Sequence, residues 1–179
     1  LEEYLPLPET NKIRIAKEFV KFNERCFARL LGDMRSYNFV IDITPDIEDY
    51  QCRMRAIDFD QQSYEGRKNL YLPQFYRENY EYVELVLKTL SPEVIKQYQM
   101  EEQSAMAYRA VASRKELMEL LSIMIKDELS EYHKIKMLRE ELNEHFQTGY
   151  FSKCSTMGTI VKRQLKLVLQ KHLQQIVTG

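Results

Sequence analysis

The hydrophobic positions of residues 11–31 recur at helical spacing. One apolar stripe comprises Ile15, Phe19, Phe22 and Cys26. A second, adjacent stripe comprises Ala16, Val20, Phe27 and Leu30. Because the two stripes together make a wide apolar face, this pattern predicts a well-buried helix that ends at Gly32.

Two strand-like runs follow this helix. The first is 39–43, rich in β-branched residues, and the second is 52–60. The residues between them, 44–49, are mostly polar and include a proline, which is typical of a turn. We therefore expect a single β-hairpin over residues 39–60.

The rest of the chain, from about residue 74, has the pattern of consecutive helices. The predicted segments are about 74–90, a helix from Ser91, a helix from Ser113, 130–147 and 155–176. Ser91 before Pro92 and an acid is a strong helix start, and Ser113 with an acid three positions later resembles a capping box. Gly149 is the expected C-terminal stop of the fourth segment, and Ser155 the expected cap of the last.

These patterns predict a fold that is mainly α with one small β-hairpin, in the α+β class. We expect one domain over residues 1–179, of which 74–179 form a helical bundle. The low counts of glycine and proline, 5 each, agree with long helices.

Composition narrows the expected partners. The 26 basic and 27 acidic residues give a net charge of −1, which argues against electrostatic binding of nucleic acid or an anionic membrane. No apolar run approaches the roughly 20 residues that cross a bilayer. The cysteines Cys26, Cys52 and Cys154 match no zinc or redox spacing. We therefore expect thiols in a reducing, cytoplasmic setting.

Oxygen-bearing side chains cluster at the ends of the predicted hairpin. Asp33 and Asn38 lie at its start, and Asp58 and Asp60 at its end. If the second strand runs to residue 60, Asp58 and Asp60 project from the same face. A hairpin brings its two ends together, so the sequence predicts a cluster of carboxylate and amide oxygens, the ligands that Mg²⁺ prefers. The alternative is local: Asp and Asn also cap helices and form turns.

The same residues resemble motifs of the protein-kinase-like superfamily. Asp33 followed by Asn38 has the spacing of the kinase catalytic loop. The Gly32-Asp33 pair and the run Ile57-Asp58-Phe59-Asp60 are similar to the aminoglycoside-phosphotransferase and lipid-kinase branches. Leu1–Leu5 weakly resembles a hinge segment. On this resemblance, residues 1–73 comprise a hinge-like segment, a helix and a catalytic-loop hairpin of a C-terminal lobe.

The resemblance implies a role for each candidate residue. Asp33 would be the catalytic base that orients an acceptor hydroxyl. Asn38 and Asp58 would bind Mg²⁺ on the phosphates of ATP, with Asp60 as a further metal ligand. The partners implied are a nucleotide and a hydroxyl acceptor of unknown identity.

The chain also departs from the family pattern. Leu31 stands beside Gly32 where a histidine motif is usual, and Gln61 replaces the glycine after the second motif. The sequence contains no glycine-rich phosphate loop and no lysine strand. We therefore expect a lobe that lacks its nucleotide-binding partner lobe and is inactive alone. The alternative is a helical protein-interaction domain or a catalytically degenerate kinase fold.

Overall fold

The computed structural model describes residues 9–47 and 50–178. The elements are α1 (Glu9–Arg29), β1 (Phe39–Pro45), β2 (Tyr50–Ala56), α2 (Tyr80–Thr89), α3 (Pro92–Ala112), α4 (Arg114–Lys126), α5 (Tyr132–Phe146) and α6 (Met157–Thr178). In the described residues the strands form one antiparallel hairpin, so the predicted α+β class is confirmed. The hinge-like segment Leu1–Leu5 lies outside the described residues.

Helix α1 is the centre of the fold, because its residues contribute to three hydrophobic clusters. Phe19 and Phe22 pack with the hairpin and α2, and Phe27 packs with α4, α5 and α6. Ala28, which has no long side chain, lies against α3 and α6. The wide apolar face predicted for this helix is therefore confirmed as a surface buried on several sides.

The hairpin has a simple register, in which Phe39 pairs with Ala56 at its base and Pro45 with Tyr50 near its tip. The hairpin packs against the core through Phe39 and Met54, and the part-buried Ile41 and Cys52 extend this contact toward the tip. The prediction that the second strand continues to residue 60 is wrong, since β2 ends at Ala56. Beyond the last ladder pair, Ile57 N–H still donates to the carbonyl oxygen of Asn38 at 3.0 Å, and the chain then leaves the hairpin.

Several predicted helix ends are shifted. Helix α1 ends before Gly32, at a left-handed Leu30 with φ 51°, and α5 ends at Gln147 with φ 51° rather than at Gly149. Ser91 caps α3 as expected, its Oγ accepting a hydrogen bond from Val94 N–H at 3.3 Å. Ser113 precedes α4 but makes no side-chain cap.

The last helix is capped by Thr156 rather than Ser155. Thr156 Oγ1 accepts a hydrogen bond from Thr159 N–H at 3.2 Å. The helix predicted over 74–90 is shorter, because three 3-10 turns fill most of Lys68–Asn79 and α2 begins only at Tyr80. None of the described helices combines the length and the hydropathy that crossing a bilayer requires.

Candidate functional site

Backbone pairing joins the segment before the hairpin to the segment after it, about 30 residues later in the sequence. Leu31 and Gln62 form an isolated antiparallel bridge, and Gly32 N–H donates a hydrogen bond to the carbonyl oxygen of Gln61 at 3.1 Å. A Cβ atom at Gly32 would lie 3.0 Å from that same oxygen, which is tighter than most Cβ contacts, so a side chain there requires the Gln61 backbone to shift by a few tenths of an ångström. The pairing brings the Gly32-Asp33 turn beside the segment that contains Asp58 and Asp60.

Asp33 and Asn38 are in direct contact. Asn38 Nδ2 donates to the carbonyl oxygen of Asp33 at 2.7 Å and to its Oδ2 at 3.2 Å. Asp33 has φ 57°, a left-handed conformation that non-glycine residues seldom adopt outside tight turns or functional loops. The side chain of Asn38 thus holds a strained turn while leaving its own Oδ1 free of this task.

The carboxylate of Asp33 also binds a cation. Arg35 Nε donates to Asp33 Oδ1 at 2.7 Å, and Arg35 Nη1 lies 3.1 Å from Glu78 Oε1. The hydrogen bond with Asp33 is the main cause of the raised pKa of Arg35, so the guanidinium stays charged. Arg35 therefore orients the Asp33 carboxylate, and any hydroxyl that binds Asp33 approaches a carboxylate held in this way.

Tyr76 and Asn79 support the same turn from the 3-10 segment. Tyr76 Oη accepts a hydrogen bond from Asp33 N–H at 3.0 Å and donates to the carbonyl oxygen of Leu70 at 2.7 Å. The phenol stays protonated, since burial raises its pKa. Asn79 is fully buried, and its Nδ2 donates to the carbonyl oxygen of Met34 at 2.7 Å.

Sequence reasoning did not identify these supporting residues. Tyr76 appeared as one of several tyrosines in an aromatic-rich segment, and Asn79 as a polar residue inside a predicted helix. A usable signal was Pro73, which makes a continuous helix through this segment less favourable.

Asp58 reaches the site through the backbone of its neighbour. Ile57 N–H donates to the carbonyl oxygen of Asn38 at 3.0 Å, and Asp58 follows directly. Asp58 Oδ1 accepts a hydrogen bond from Asp60 N–H at 3.0 Å, which is a local turn. The expectation that Asp58 and Asp60 share one strand face is wrong, because both residues lie beyond the end of β2. Asp60 is exposed.

The oxygens that remain available suit a hard cation. Asn38 uses its amide nitrogen on Asp33, which leaves Oδ1, and Asp58 uses Oδ1 on the turn, which leaves Oδ2. Mg²⁺ typically takes one or two protein carboxylates, with water and phosphate oxygens completing the shell. Across residues 9–47 and 50–178, no group of three or more His, Cys, Asp or Glu side chains is placed to hold a metal.

Comparisons of the chain with family models, with curated proteins and with solved structures give no match.

Proposed function

We propose that the chain is the C-terminal lobe of a kinase-like phosphotransferase. The contact between Asp33 and Asn38, joined to Asp58 through the bond from Ile57 N–H to the Asn38 carbonyl oxygen, is the observation that carries this proposal. Phosphoryl transfer depends mainly on positioning and charge neutralisation, so an acceptor-binding carboxylate beside metal-binding oxygens is the minimum it needs.

In this proposal each residue has a separate task. Asp33 accepts a hydrogen bond from the acceptor hydroxyl and orients it. Asn38 Oδ1 and Asp58 Oδ2 bind Mg²⁺ on the nucleotide phosphates, and Asp60 contributes to the same ion through solvent. The metal neutralises phosphate charge when it is bound. Arg35 competes with the acceptor hydroxyl for Asp33, because its Nε already binds Asp33 Oδ1 at 2.7 Å.

The proposal needs a nucleotide-binding lobe beyond these 179 residues. It therefore predicts weak binding of Mg²⁺-ATP and no turnover by this chain alone. As an ATP-dependent enzyme, the protein would act in the cytoplasm.

A paramagnetic probe tests the metal site in the chain itself. Mn²⁺ with ADP should broaden the backbone amide resonances of Asn38 and Asp58 first, and Asp58→Asn should abolish this selectivity. Asp42→Asn is the matched control, since Asp42 is an exposed hairpin carboxylate that pairs with Arg55 at 2.9 Å. Equal broadening in wild type and Asp58→Asn, or broadening centred elsewhere, would contradict the assignment.

Turnover by a protein that carries this chain together with a nucleotide-binding lobe separates the roles of the two carboxylates. Asp33→Asn should abolish phosphoryl transfer while nucleotide binding persists. Asp58→Asn should lose both metal-dependent binding and transfer. Full activity in Asp33→Asn would remove the proposed base.

A helical interaction domain is the second candidate, and the outer face of α4 favours it. Leu120 and Ile123, which are neighbours on this face, are 55% and 63% exposed. Sedimentation at increasing concentration would reveal self-association through this face, with Ile123→Glu as the disrupting variant. A monomer at all concentrations would remove this form of the candidate.

A further inference from the structure

A second site lies away from Asp33, in a cleft with a volume of about 320 Å³. Four arginines line it, and we call it the arginine cleft: Arg25 and Arg29 of α1, Arg53 of β2 and Arg109 of α3. None of the described residues that line the cleft carries a carboxylate. So many guanidinium groups around one opening repel each other unless an anion lies between them.

Two of the four arginines share the nearest carboxylate. Arg109 Nη2 donates to Glu102 Oε1 at 2.8 Å, and Arg25 Nη1 lies 3.5 Å from Glu102 Oε2. Arg25 Nη2 binds Glu18. Although Arg25 Nη1 is buried, it makes no hydrogen bond to any described residue. Glu24, a further carboxylate close to Glu102, is bonded to Gln103 and does not line the cleft.

The other two arginines have no carboxylate partner among the described residues. Arg29 Nε donates only to the carbonyl oxygen of Arg25, at 3.1 Å. The pKa of Arg29 is lowered, first by partial removal from water and then by the nearby charges of Arg25 and Arg109. Cys26 does not offset this charge at neutral pH, because burial raises the pKa of its thiol to about 12.

Arg53 is exposed on the hairpin. Asp42 stands opposite it in the ladder but forms its ion pair with Arg55. Among the described residues, the carboxylates that bind these four guanidinium groups are Glu18 and Glu102, which leaves an excess of two positive charges.

The remaining lining is apolar. It consists mainly of Met106, Leu117, Leu165 and Leu169, contributed by α3, α4 and α6. A small inorganic anion gains no binding free energy from an apolar surface. A hydrocarbon group does, because it is removed from water there. The cleft thus combines a dianion's counter-charge with a place for a small apolar group.

We propose that the arginine cleft binds an organic phosphomonoester with a compact apolar skeleton. A phosphomonoester carries close to two negative charges at neutral pH, which matches the excess charge of the cleft. Guanidinium groups recognise phosphate oxygens through paired N–H donors. Met106 and the three leucines bury the carbon skeleton. This site is independent of the phosphotransferase proposal.

Phenyl phosphate is the probe, and calorimetry with amide chemical-shift mapping is the measurement. Wild type should bind it saturably, at least tenfold more tightly than inorganic phosphate or phenol. Arg29→Gln and Arg53→Gln should each weaken binding about tenfold or more, since each removes a charge-assisted hydrogen bond. Arg53 is exposed, whereas Arg29 is partly withdrawn from water and donates to the carbonyl oxygen of Arg25. Neither binds a carboxylate among the described residues, so both variants keep the ion pairs of Glu18 and Glu102.

One control makes the result specific. Arg77→Gln removes an exposed arginine outside the cleft and should leave binding unchanged. Absence of saturable binding up to about 10 mM would overturn the proposal. So would equal affinity for inorganic phosphate, or unchanged affinity in both arginine variants.

Discussion

The N–H of Gly32 donates a hydrogen bond to the carbonyl oxygen of Gln61 at 3.1 Å, and this contact joins the two segments of the candidate site. The same oxygen would lie 3.0 Å from a Cβ atom at Gly32. A Cβ atom is fixed to the backbone of residue 32 and the oxygen belongs to the backbone of Gln61, so neither atom can move away by side-chain rotation. Close approach of the two backbones therefore depends on the absence of a side chain at residue 32.

Gly32→Ala should destabilise the protein by about 1–3 kcal/mol, because the added methyl group forces the Gln61 backbone outward. Urea unfolding followed by circular dichroism measures this. Gly149→Ala is the matched control, since a Cβ there meets only Ser152 Oγ at 3.8 Å, an ordinary contact. A loss of stability as large in the control as in Gly32→Ala would contradict the explanation.

Asn38→Asp replaces two donated hydrogen bonds by a carboxylate facing Asp33. We expect a loss of about 1–3 kcal/mol at pH 7. The introduced carboxyl would have a higher pKa in the native state than in the unfolded chain. Its contribution to the loss of stability therefore appears as pH rises through the pKa of the unfolded chain, and it disappears at lower pH. Urea unfolding at pH 7 and about pH 3 checks both signs.

Asn69→Asp is the control for this change. Asn69 is exposed, and its Oδ1 accepts a hydrogen bond from Lys68 Nζ at 3.1 Å, an interaction that an aspartate keeps. Its stability should change little at either pH. If Asn38→Asp behaves like Asn69→Asp, the side chain of Asn38 does not hold the Asp33 turn.

The sequence predicted those parts of the fold that depend on local pattern. Helix α1 has an apolar face recognisable from spacing, and Ser91 with Pro92 marks the start of α3. The end of α1 was misplaced. The chain reverses at Leu30 in a left-handed conformation, whereas Gly32 was expected to end the helix. Tertiary contacts stabilise that conformation, and no local propensity reveals them.

The candidate site was predictable only in part for the same reason. The spacing of Asp33 and Asn38 indicated their proximity, because five residues around a turn cannot separate them far. Part of its support comes from another segment, more than 40 residues away: Tyr76 accepts a hydrogen bond from Asp33 N–H, and Glu78 binds Arg35. Both lie in the segment of 3-10 turns that resembled a regular helix in sequence. The end of β2 at Ala56 was missed because Ile57 and Phe59 continue a strand-like alternation, yet both side chains are exposed.

Arg25→Leu should destabilise the protein by about 3–5 kcal/mol, because the buried Glu18 would lose its cation. Glu102 would keep Arg109 alone. Arg25 also donates to the carbonyl oxygen of Met54 at 2.9 Å, which ties α1 to the hairpin. Urea unfolding is the measurement. Asp42→Ala, which removes the exposed pair with Arg55, should cost less than about 1 kcal/mol. Similar costs for the two variants would show that burial does not govern the contribution of Arg25.

His145 makes stability depend on pH in a direction that its surroundings determine. Its ring lies 5.3 Å from that of Phe27 and 4.7 Å from that of Phe146, measured between centroids. Its pKa is lowered from 6.5, first by partial removal from water and then by the charge of Lys68. The unfolded chain therefore binds a proton at this residue at a higher pH than the native protein does.

Stability should accordingly fall as pH decreases through 6.5, and level off for this residue once the pH lies below its native pKa. His145→Gln removes the titrating group and should flatten the profile between about pH 7 and pH 5. Glu24 acts in the opposite direction, because burial raises its pKa, but it is present in both proteins and cancels in the difference. Free energies of unfolding from urea titrations at several pH values give that difference directly. If its sign reverses, so that wild type gains stability over His145→Gln on acidification, the protonated ring is favoured in the native state and the assigned environment is wrong.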